Sequence, residues 1–385
     1  MLCKKNSIRF LWYFTFLHTL LINTNTNQIS IEAPDALKNK VNIAYMIADL
    51  KYDGESLKIL EFGNMTRSDL SPHERLYGKY NIWRKLFDGL HSHGLPVWFV
   101  GIGRMPCRKI KAFGAKCFKD LNLLEKDLFF RKSASNTAEN YKGIVVIPSR
   151  RIDMIENFKA KHPGFVILND ITKIYGLNKH EACKLFDDEY LRDFKPEWKA
   201  YPKKYTPDLA DRISNDFTSD IVVIKPIGSL QGRGVIIVEK ANLDKTLHAI
   251  FTKTKKLKNI DDKSYEYWLK DKSKIFLVES FEESKIITVE SKKYDATMRV
   301  VFSLTLANGE ITLEFLGQYW KLPYKSLYES GTLTEHHKSK SSVRKSNPGG
   351  LTAPAMVDEC DAIHVKEILS HVLPQLYIKM LLQNS

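Results

Sequence analysis

The chain has 385 residues, of which 43% are hydrophobic and 27% are charged. This composition is typical of globular proteins and excludes a disordered, collagen-like or coiled-coil chain. The length suffices for two or three domains with their own cores. The net charge of +14 favours acidic partners such as nucleotides, phosphates or acidic peptides, although acids are interleaved with the lysines along most of the sequence.

The N-terminal residues 1–28 have the pattern of a secretory leader. Lys4, Lys5 and Arg9 precede a nearly apolar run over residues 10–22, but no small-residue cleavage site follows it. The run is short for a membrane-spanning helix, and no other segment is a candidate span. A misassigned start codon or a helix that packs on the domain are the alternatives. The five cysteines are isolated and odd in number, which indicates neither a disulfide framework nor a zinc site.

Strands and helices alternate in the first half of the sequence. Residues 41–63 predict a hairpin with Asp53 and Gly54 in its turn. Residues 73–93 have helical apolar spacing and end before Gly94. Short apolar strands are expected at 95–101, 143–149 and 164–170, with a helix between the last two. This rhythm predicts an N-terminal α/β domain over residues 41–175.

The second half, residues 176–385, predicts antiparallel sheets. A helix over 178–190 is followed by expected strands at 220–226, 235–240 and 274–281, with a lysine-rich helical stretch before the last of them. Residues 296–320 predict a hairpin with the turn Asn308-Gly309. A polar loop over 325–350 and an amphipathic helix over 361–382 complete the chain. The predicted fold class is therefore α/β (α+β).

The strongest functional signal is a small-residue loop between the strands that end at Lys225-Pro226 and begin at Val235. Such a loop lets backbone N–H groups approach phosphate oxygens, and a lysine beside it adds a point charge. It is neither a Walker A loop nor a dinucleotide fingerprint, because a strand and not a helix follows the glycines. A plain hairpin also needs glycines and is the alternative. The loop positions singled out are Gly228, Ser229, Gln231, Gly232, Arg233 and Gly234.

The combination of Val-x-Lys-Pro at 223–226 with Gly-Arg-Gly-Val at 232–235 resembles the phosphate loop of ATP-grasp ligases. Among these are tubulin tyrosine ligase-like enzymes, glutathione synthetase and ribosomal-protein glutamate ligases. The order of elements over about residues 165–382 also resembles that family. The resemblance implies an ATP-grasp fold for residues 176–385, ATP and Mg²⁺ as cofactors, and carboxylate–amine ligation through an acyl-phosphate.

The resemblance also implies roles for single residues in nucleotide binding. Lys179 and Lys225 would contact ATP phosphates together with the loop, and the strand end from Glu279 to Phe281 would pair with adenine through its backbone. The side chains at 279–281 depart from the family pattern, so only backbone roles carry over. A solvated helix lysine is the alternative for Lys179, and an ordinary core strand is the alternative for residues 274–281.

Two basic residues correspond to catalytic positions of the family. Arg299 follows Asp295 in a strand that resembles the Asp-x-Arg strand, and Lys321 ends the partner strand. The resemblance implies that both stabilise charge on the transferred phosphate or the acyl-phosphate. A salt bridge between Arg299 and Asp295 is the alternative. Residues 347–350 resemble the family's Asn-Gly-Gly loop, and the basic stretch from His336 to Lys345 is either a site for an anionic substrate or a plain loop.

The metal-binding part of the family pattern is missing from this sequence. The family has a Glu-x-Asn strand that helps to bind two magnesium ions, and no Glu-x-Asn follows Gly350 here. A truncated or decayed gene product is expected, with metal binding by Glu314 or Glu290 as the alternative. The metal ligands are therefore unknown. A nucleotide-binding protein without ligase activity is the second hypothesis for the function.

The sequence identifies neither the acyl donor nor the amine acceptor. The basic surface favours an acidic peptide or a small carboxylate as substrate. Nucleic acid is disfavoured, because the aromatic residues lie at buried-looking positions and not beside exposed basic residues. Since the expected chemistry needs ATP, a cytoplasmic location is predicted, while the leader keeps export open.

Overall fold

A computed structural model describes residues 28–64, 67–78, 81–101, 111, 113–130, 143–147, 152–229, 232–252, 264–339 and 354–384. The predictions for the leader up to residue 27, for Gln231, for the lysine-rich residues 253–263 and for residues 340–353 lie outside these ranges.

The strands, in chain order, are β1 (Gln28–Glu32), β2 (Asn42–Tyr52), β3 (Leu57–Asn64), β4 (Val97–Val100), β5 (Lys116–Phe118), β6 (Gly143–Val146), β7 (Phe165–Ile167), β8 (Trp198–Pro202), β9 (Ile221–Pro226), β10 (Ile236–Glu239), β11 (Ile275–Ser280), β12 (Ile286–Val289), β13 (Lys292–Asp295), β14 (Thr297–Ala307) and β15 (Glu310–Lys321).

The α-helices are α1 (Arg67–Tyr77), α2 (Asn81–His91), α3 (Leu121–Phe130), α4 (Ile152–Lys161), α5 (Lys173–Leu177), α6 (Lys179–Lys184), α7 (Glu189–Arg192), α8 (Leu209–Asp216), α9 (Leu243–Phe251), α10 (Ser264–Trp268), α11 (Leu333–His337) and α12 (Glu359–Gln383). Short 3₁₀ turns lie at Asp35–Leu37 and Lys240–Asn242. No helix within the described ranges is long and apolar enough to cross a membrane.

A parallel sheet with the strand order β5-β4-β6-β7 forms in the first half of the chain, and the strands β4, β6 and β7 were predicted. The strands β4, β6 and β7 are short and apolar because both faces of the sheet are covered, while the edge strand β5 begins with the exposed Lys116. One face packs on α3 and α4 through Leu124, Ile155 and Phe158. The other face packs on α2 and on a neighbouring antiparallel sheet. The predicted class of mixed α/β protein, with antiparallel sheets in the second half, is confirmed.

That neighbouring sheet is antiparallel, with the order β1-β15-β14-β2-β3. The two predicted hairpins form its centre. Asp53 accepts hydrogen bonds from the N–H groups of Glu55 and Ser56 in the first turn. Asn308 and Gly309 both have positive φ in the second, as a two-residue hairpin turn of this type requires. The final helix α12 packs on the face opposite α2.

The pairing of β2 with β14 places the first hairpin in one sheet with the last one. The hairpin at residues 42–64 therefore lies outside the parallel sheet, although its sequence belongs to the predicted N-terminal domain. The division into residues 41–175 and 176–385 stays a prediction.

A second antiparallel sheet has the order β10-β9-β11-β8. Helices α8, α9 and α10 cover one face, where Trp268 is fully buried. Because side chains alternate along a strand, the opposite face carries Val223, Lys225 and Glu279. This second face faces the candidate site.

Two predicted helices are broken in the structure. The helix expected over 73–93 is divided into α1 and α2 at Gly78, whose φ of +102° does not fit a helix. The helix expected over 178–190 is divided into α6 and α7. Asn178 caps the first of these and Asp188 caps the second through side-chain hydrogen bonds to backbone N–H groups.

The loop expected over 325–350 contains a helix, α11. Thr332 and Glu335 form a capping box at its N-terminus, each side chain bonding the other's backbone. The prediction of a loop was wrong for Leu333–His337. The Thr-x-x-Glu signature that begins this helix is present in the sequence and was overlooked. The expected final helix over 361–382 is confirmed as α12.

A substitution at Gly143 tests how tightly the parallel sheet is packed. A Cβ atom at this position would overlap the buried indole ring of Trp98. We expect Gly143→Ala to lower the free energy of unfolding by about 1–3 kcal/mol, as overpacking does. Urea-induced unfolding measures the change. Gly228→Ala is the control, because a Cβ there meets no atom within 4 Å. An equal effect of both substitutions would contradict this packing.

Candidate active site

The glycine loop between β9 and β10 is packed against the protein and is not a bare surface turn. Ser229 is buried, while Gly228 and Arg233 are exposed. Gly232 and Gly234 have φ values of +66° and +75°, which favour glycine. A Cβ at Gly234 would lie 2.5 Å from Pro226, so no larger residue fits there without a shift.

Lys179 contacts this loop directly. Its backbone N–H donates to the Ile227 carbonyl at 3.1 Å, and its ammonium donates to the carbonyl and hydroxyl of Ser229. The same ammonium forms an ion pair with Glu61 of β3 at 3.2 Å. Lys179 is the first residue of α6, so the Asn178 cap fixes where its backbone starts. The alternative of a solvated helix lysine is wrong, because Lys179 is buried.

Lys225 lies in β9, directly before the loop, and shares a carboxylate with a second lysine. Its ammonium donates to Glu279, whose other oxygen accepts from Lys195 at 2.9 Å. Lys195 also donates to the Leu60 carbonyl of β3 at 3.1 Å. All three charged side chains are buried. Burial alone would raise the pKa of Glu279, but the two lysines hold it below its usual value.

Lys195 was not predicted from the sequence. It follows α7 in an irregular stretch, and only the tertiary fold brings it to Glu279.

Burial lowers the pKa of Lys225 below its ordinary value, and Glu279 offsets this only in part.

The strand end expected to bind adenine has no open edge. β11 lies inside its sheet and pairs with β8 and β9 on its two sides. The N–H groups of Ser280 and Phe281 donate to the carbonyls of Glu197 and Ile221. These two N–H groups are therefore engaged within the protein, and the pairing of adenine with the backbone of Glu279 to Phe281 stays a prediction.

Arg299 and Lys321 meet at one carboxylate, that of Asp49 on β2. The Arg299 guanidinium donates to both oxygens of Asp49, at 2.7 and 2.8 Å, and Lys321 donates at 2.7 Å. The pairing of β2 with β14 places Arg299 directly opposite Asp49. The alternative partner Asp295 is therefore wrong. Burial would raise the pKa of Asp49, but the two cations hold it well below its usual range.

Asp295 instead binds Lys51 and a histidine of α11. Lys51 donates at 2.6 Å, and His337 lies at the same distance through Nδ1. Lys338 next to it donates to the Val235 carbonyl at the end of the glycine loop, at 3.2 Å. The first residues of the predicted basic stretch are thus folded against the site, while those from Lys340 to Lys345 lie outside the described ranges.

Among the described residues, these ion pairs join six cations to four carboxylates in one charged cluster, and Glu283 is a further carboxylate that acts electrostatically on Lys51. Glu61 acts electrostatically on Lys195, Lys225 and Lys321, which joins the parts of the cluster. Buried cations in excess favour an anion as ligand. The cations are Lys51, Lys179, Lys195, Lys225, Arg299 and Lys321, and the carboxylates are Asp49, Glu61, Glu279 and Asp295.

The described residues do not fit a magnesium site. They contain no group of three or more His, Cys, Asp or Glu side chains able to hold a metal ion. The carboxylates of the cluster accept hydrogen bonds from cations. Glu314 lies seven residues before Lys321 along β15, about 23 Å away at the usual strand rise. Glu290 is exposed in the turn between β12 and β13. Neither of these two glutamates joins the cluster.

Comparison with known proteins finds similarity only at the level of structure. No family model and no curated protein matches the chain. One similar solved structure is a protein assigned as a gamma-glutamylcysteine synthetase from Methylobacillus flagellatus KT. The match covers 89% of this chain and 90% of that protein, with 9% sequence identity and a TM-score of 0.45.

Two further solved structures are similar over a smaller part of the chain. D-alanyl-alanine synthetase A from Vibrio cholerae O1 biovar eltor has 11% identity and a TM-score of 0.36, with 74% of this chain and 80% of that one covered. A RimK domain ATP-grasp protein from Sphaerobacter thermophilus has 11% identity and a TM-score of 0.30, with 72% and 98% covered. The fold resembles these solved structures.

A substitution at Asp49 tests whether its ion pairs with Arg299 and Lys321 stabilise the fold. We expect Asp49→Asn to lower the free energy of unfolding by about 3–5 kcal/mol, because it leaves two buried cations without their carboxylate. Urea titration measures the change. Asp35→Asn is the control, since Asp35 is exposed and its ion pair with Lys38 lies in water, and we expect little change. Equal stability of Asp49→Asn and wild type would contradict the pairing.

Proposed function

We propose that the chain is an ATP-dependent carboxylate–amine ligase that acts through an acyl-phosphate. The observation that carries this proposal is the buried excess of cations beside the glycine loop. A triphosphate carries several negative charges, and such a charge would balance the excess. A solvated lysine-rich surface would not hold these side chains buried around shared carboxylates.

The proposed roles follow from the positions of the residues. Lys179 and Lys225 would hold phosphate oxygens together with backbone N–H groups of residues 228–234. Arg299 and Lys321 would stabilise charge on the phosphate transferred to the substrate carboxylate. An amine then forms the C–N bond, the C–O bond to phosphate breaks, and the amine loses a proton. The described residues offer Mg²⁺ no ligand set, so this proposal assigns it none.

The carboxylates of the cluster would act as counterions that an incoming anion replaces. Glu279 holds Lys225, and Asp49 holds Arg299 and Lys321. Because these carboxylates hold the cations beforehand, the cations are already in position when a phosphate arrives. The net charge of +14 supports an acidic peptide or a small carboxylate as the substrate. Addition of an amino acid to this substrate is part of the proposal.

A second candidate function is nucleotide binding without ligation. One observation favours it: Asp49 already occupies Arg299 and Lys321, the two groups proposed to stabilise the transferred phosphate. A nucleotide held only by Lys179, Lys225 and the loop would leave this pairing intact.

An ADP-release assay tests the ligase. The chain is incubated with ATP, Mg²⁺ and a pool of free amino acids, with and without an acidic peptide. We expect Lys225→Ala to slow ADP release by about a hundredfold or more, as the loss of a charge-stabilising donor does. Lys199→Ala is the matched control, because Lys199 lies in the same sheet but is exposed and pairs with Asp216.

Each result decides between the candidates. ADP release that Lys225→Ala abolishes and Lys199→Ala keeps supports the ligase. Equal release from wild type and Lys225→Ala contradicts it. ATP binding by the wild type without any ADP release supports the second candidate.

A further inference from the structure

His337 is bonded to the charged cluster through only one of its two ring nitrogens. It is the last residue of α11, and its Nδ1 lies 2.6 Å from the carboxylate of Asp295. Within the part of the chain that the structure describes, Nε2 of the same ring has no hydrogen-bond partner. The side chain is 11% exposed, and Nε2 is not one of the buried atoms left without a partner. The second ring nitrogen is therefore available to a ligand.

Asp295 determines which ring nitrogen of His337 carries a proton. The Asp295 side chain is fully buried, and it also accepts hydrogen bonds from Lys51 and from the Ser284 N–H. Burial would raise the pKa of Asp295, but His337 and Lys51 hold it below its usual value. The carboxylate is therefore ionised and accepts a hydrogen bond from Nδ1–H. A neutral imidazole held in this way has its lone pair on Nε2, the nitrogen that can take up a proton.

The position of the imidazole ring is set by contacts of α11 and of the adjacent strand end. Phe281 packs edge-on against the ring, with 4.8 Å between the two ring centroids. Lys338, the next residue, donates to the Val235 carbonyl at the end of the glycine loop, at 3.2 Å. Thr334 of the same helix accepts from the Ile237 N–H of β10, at 3.1 Å. The helix that carries the histidine is thus anchored on the strand that follows the glycine loop.

Asp295 also connects this histidine to the cations proposed to act on the transferred phosphate. Lys51, the second partner of Asp295, lies two residues after Asp49 on β2, so both side chains point to the same face of the sheet. Asp49 holds Arg299 and Lys321, and the charge of Lys321 acts on Lys51. One network of charged contacts therefore joins the histidine to the place where the acyl-phosphate would form.

We infer that His337 is the general base that takes the proton from the attacking amine, with Asp295 as the residue that positions it. This inference rests on the proposed function. The amine nitrogen attacks the carbonyl carbon of the acyl-phosphate and forms the C–N bond. The C–O bond to phosphate breaks, and its electron pair leaves with the phosphate. The proton on nitrogen passes to Nε2 of His337 and then to water, because the nitrogen stays positively charged after the attack until it loses this proton.

A purely structural role for His337 makes a different prediction. The four carboxylates of the cluster are held by cations, whereas Nε2 of His337 has its lone pair open. If the only task of His337 were to bond Asp295, an asparagine could donate to the same carboxylate and the reaction would continue. If His337 is the base, His337→Asn removes the proton transfer and leaves the phosphoryl transfer intact.

Two nucleophiles separate the proton transfer from the phosphoryl transfer. Wild type, His337→Asn and His337→Ala are incubated with ATP, Mg²⁺ and an acidic peptide, and either a pool of free amino acids or hydroxylamine is added. Hydroxylamine is largely unprotonated at neutral pH, so it captures an acyl-phosphate as a hydroxamate without help from a base. We expect His337→Asn to slow amide formation by about a hundredfold or more and to form the hydroxamate at the wild-type rate. Added imidazole should restore part of the amide formation in His337→Ala.

His336→Asn is the matched control, because His336 is the neighbouring histidine of α11 and its Nδ1 lies 2.8 Å from the Ser326 carbonyl, outside the cluster. It should form both products like the wild type, and mass spectrometry of the peptide measures both. Amide formation by His337→Asn at the wild-type rate, or an equal loss of both products in the two His337 variants, overturns the inference and leaves the ligase standing. Absence of both products from the wild type rejects the ligase and this role together.

Discussion

The carboxylate of Glu279 is the contact on which the candidate site depends. It sits between Lys225 and Lys195, and Lys195 in turn reaches the backbone of β3. One buried anion thereby joins two antiparallel sheets at the point where the glycine loop begins. Removing a charge from water costs several kcal/mol, and only close partners and hydrogen bonds repay it. The geometry of both sheets has to keep these partners together.

The same principle explains why the site would respond to an anion. Its cations are already out of water. An incoming phosphate would replace a carboxylate as their partner, so no solvated lysine would have to lose its water. In the proposed function, Asp49 and Glu279 are the partners that the phosphate would replace. The arrangement also sets a limit, because an anion that fails to displace Asp49 leaves Arg299 engaged.

The parts of the fold that local patterns determine could be predicted from the sequence. The apolar strands, the Asn308-Gly309 turn and the glycine loop depend on neighbouring residues, and they were found. The capping box of α11 was readable but was overlooked. Asp49 and Lys195 could not be predicted, because burial between distant elements gives them their partners, and single charged residues in strands or loops carry no signal of this.

The pairing of β2 with β14 also has a consequence for how the chain folds. Asp49 and Arg299 are 250 residues apart, so the central sheet cannot close on the ribosome until most of the chain has been made. The parallel strands β4 to β7 lie close together in sequence and have no such delay. Until β14 and α12 have been made, the face of β2 and β3 that packs on α12 stays uncovered. An apolar face that stays exposed during synthesis is prone to aggregation and is the kind of surface that chaperones bind.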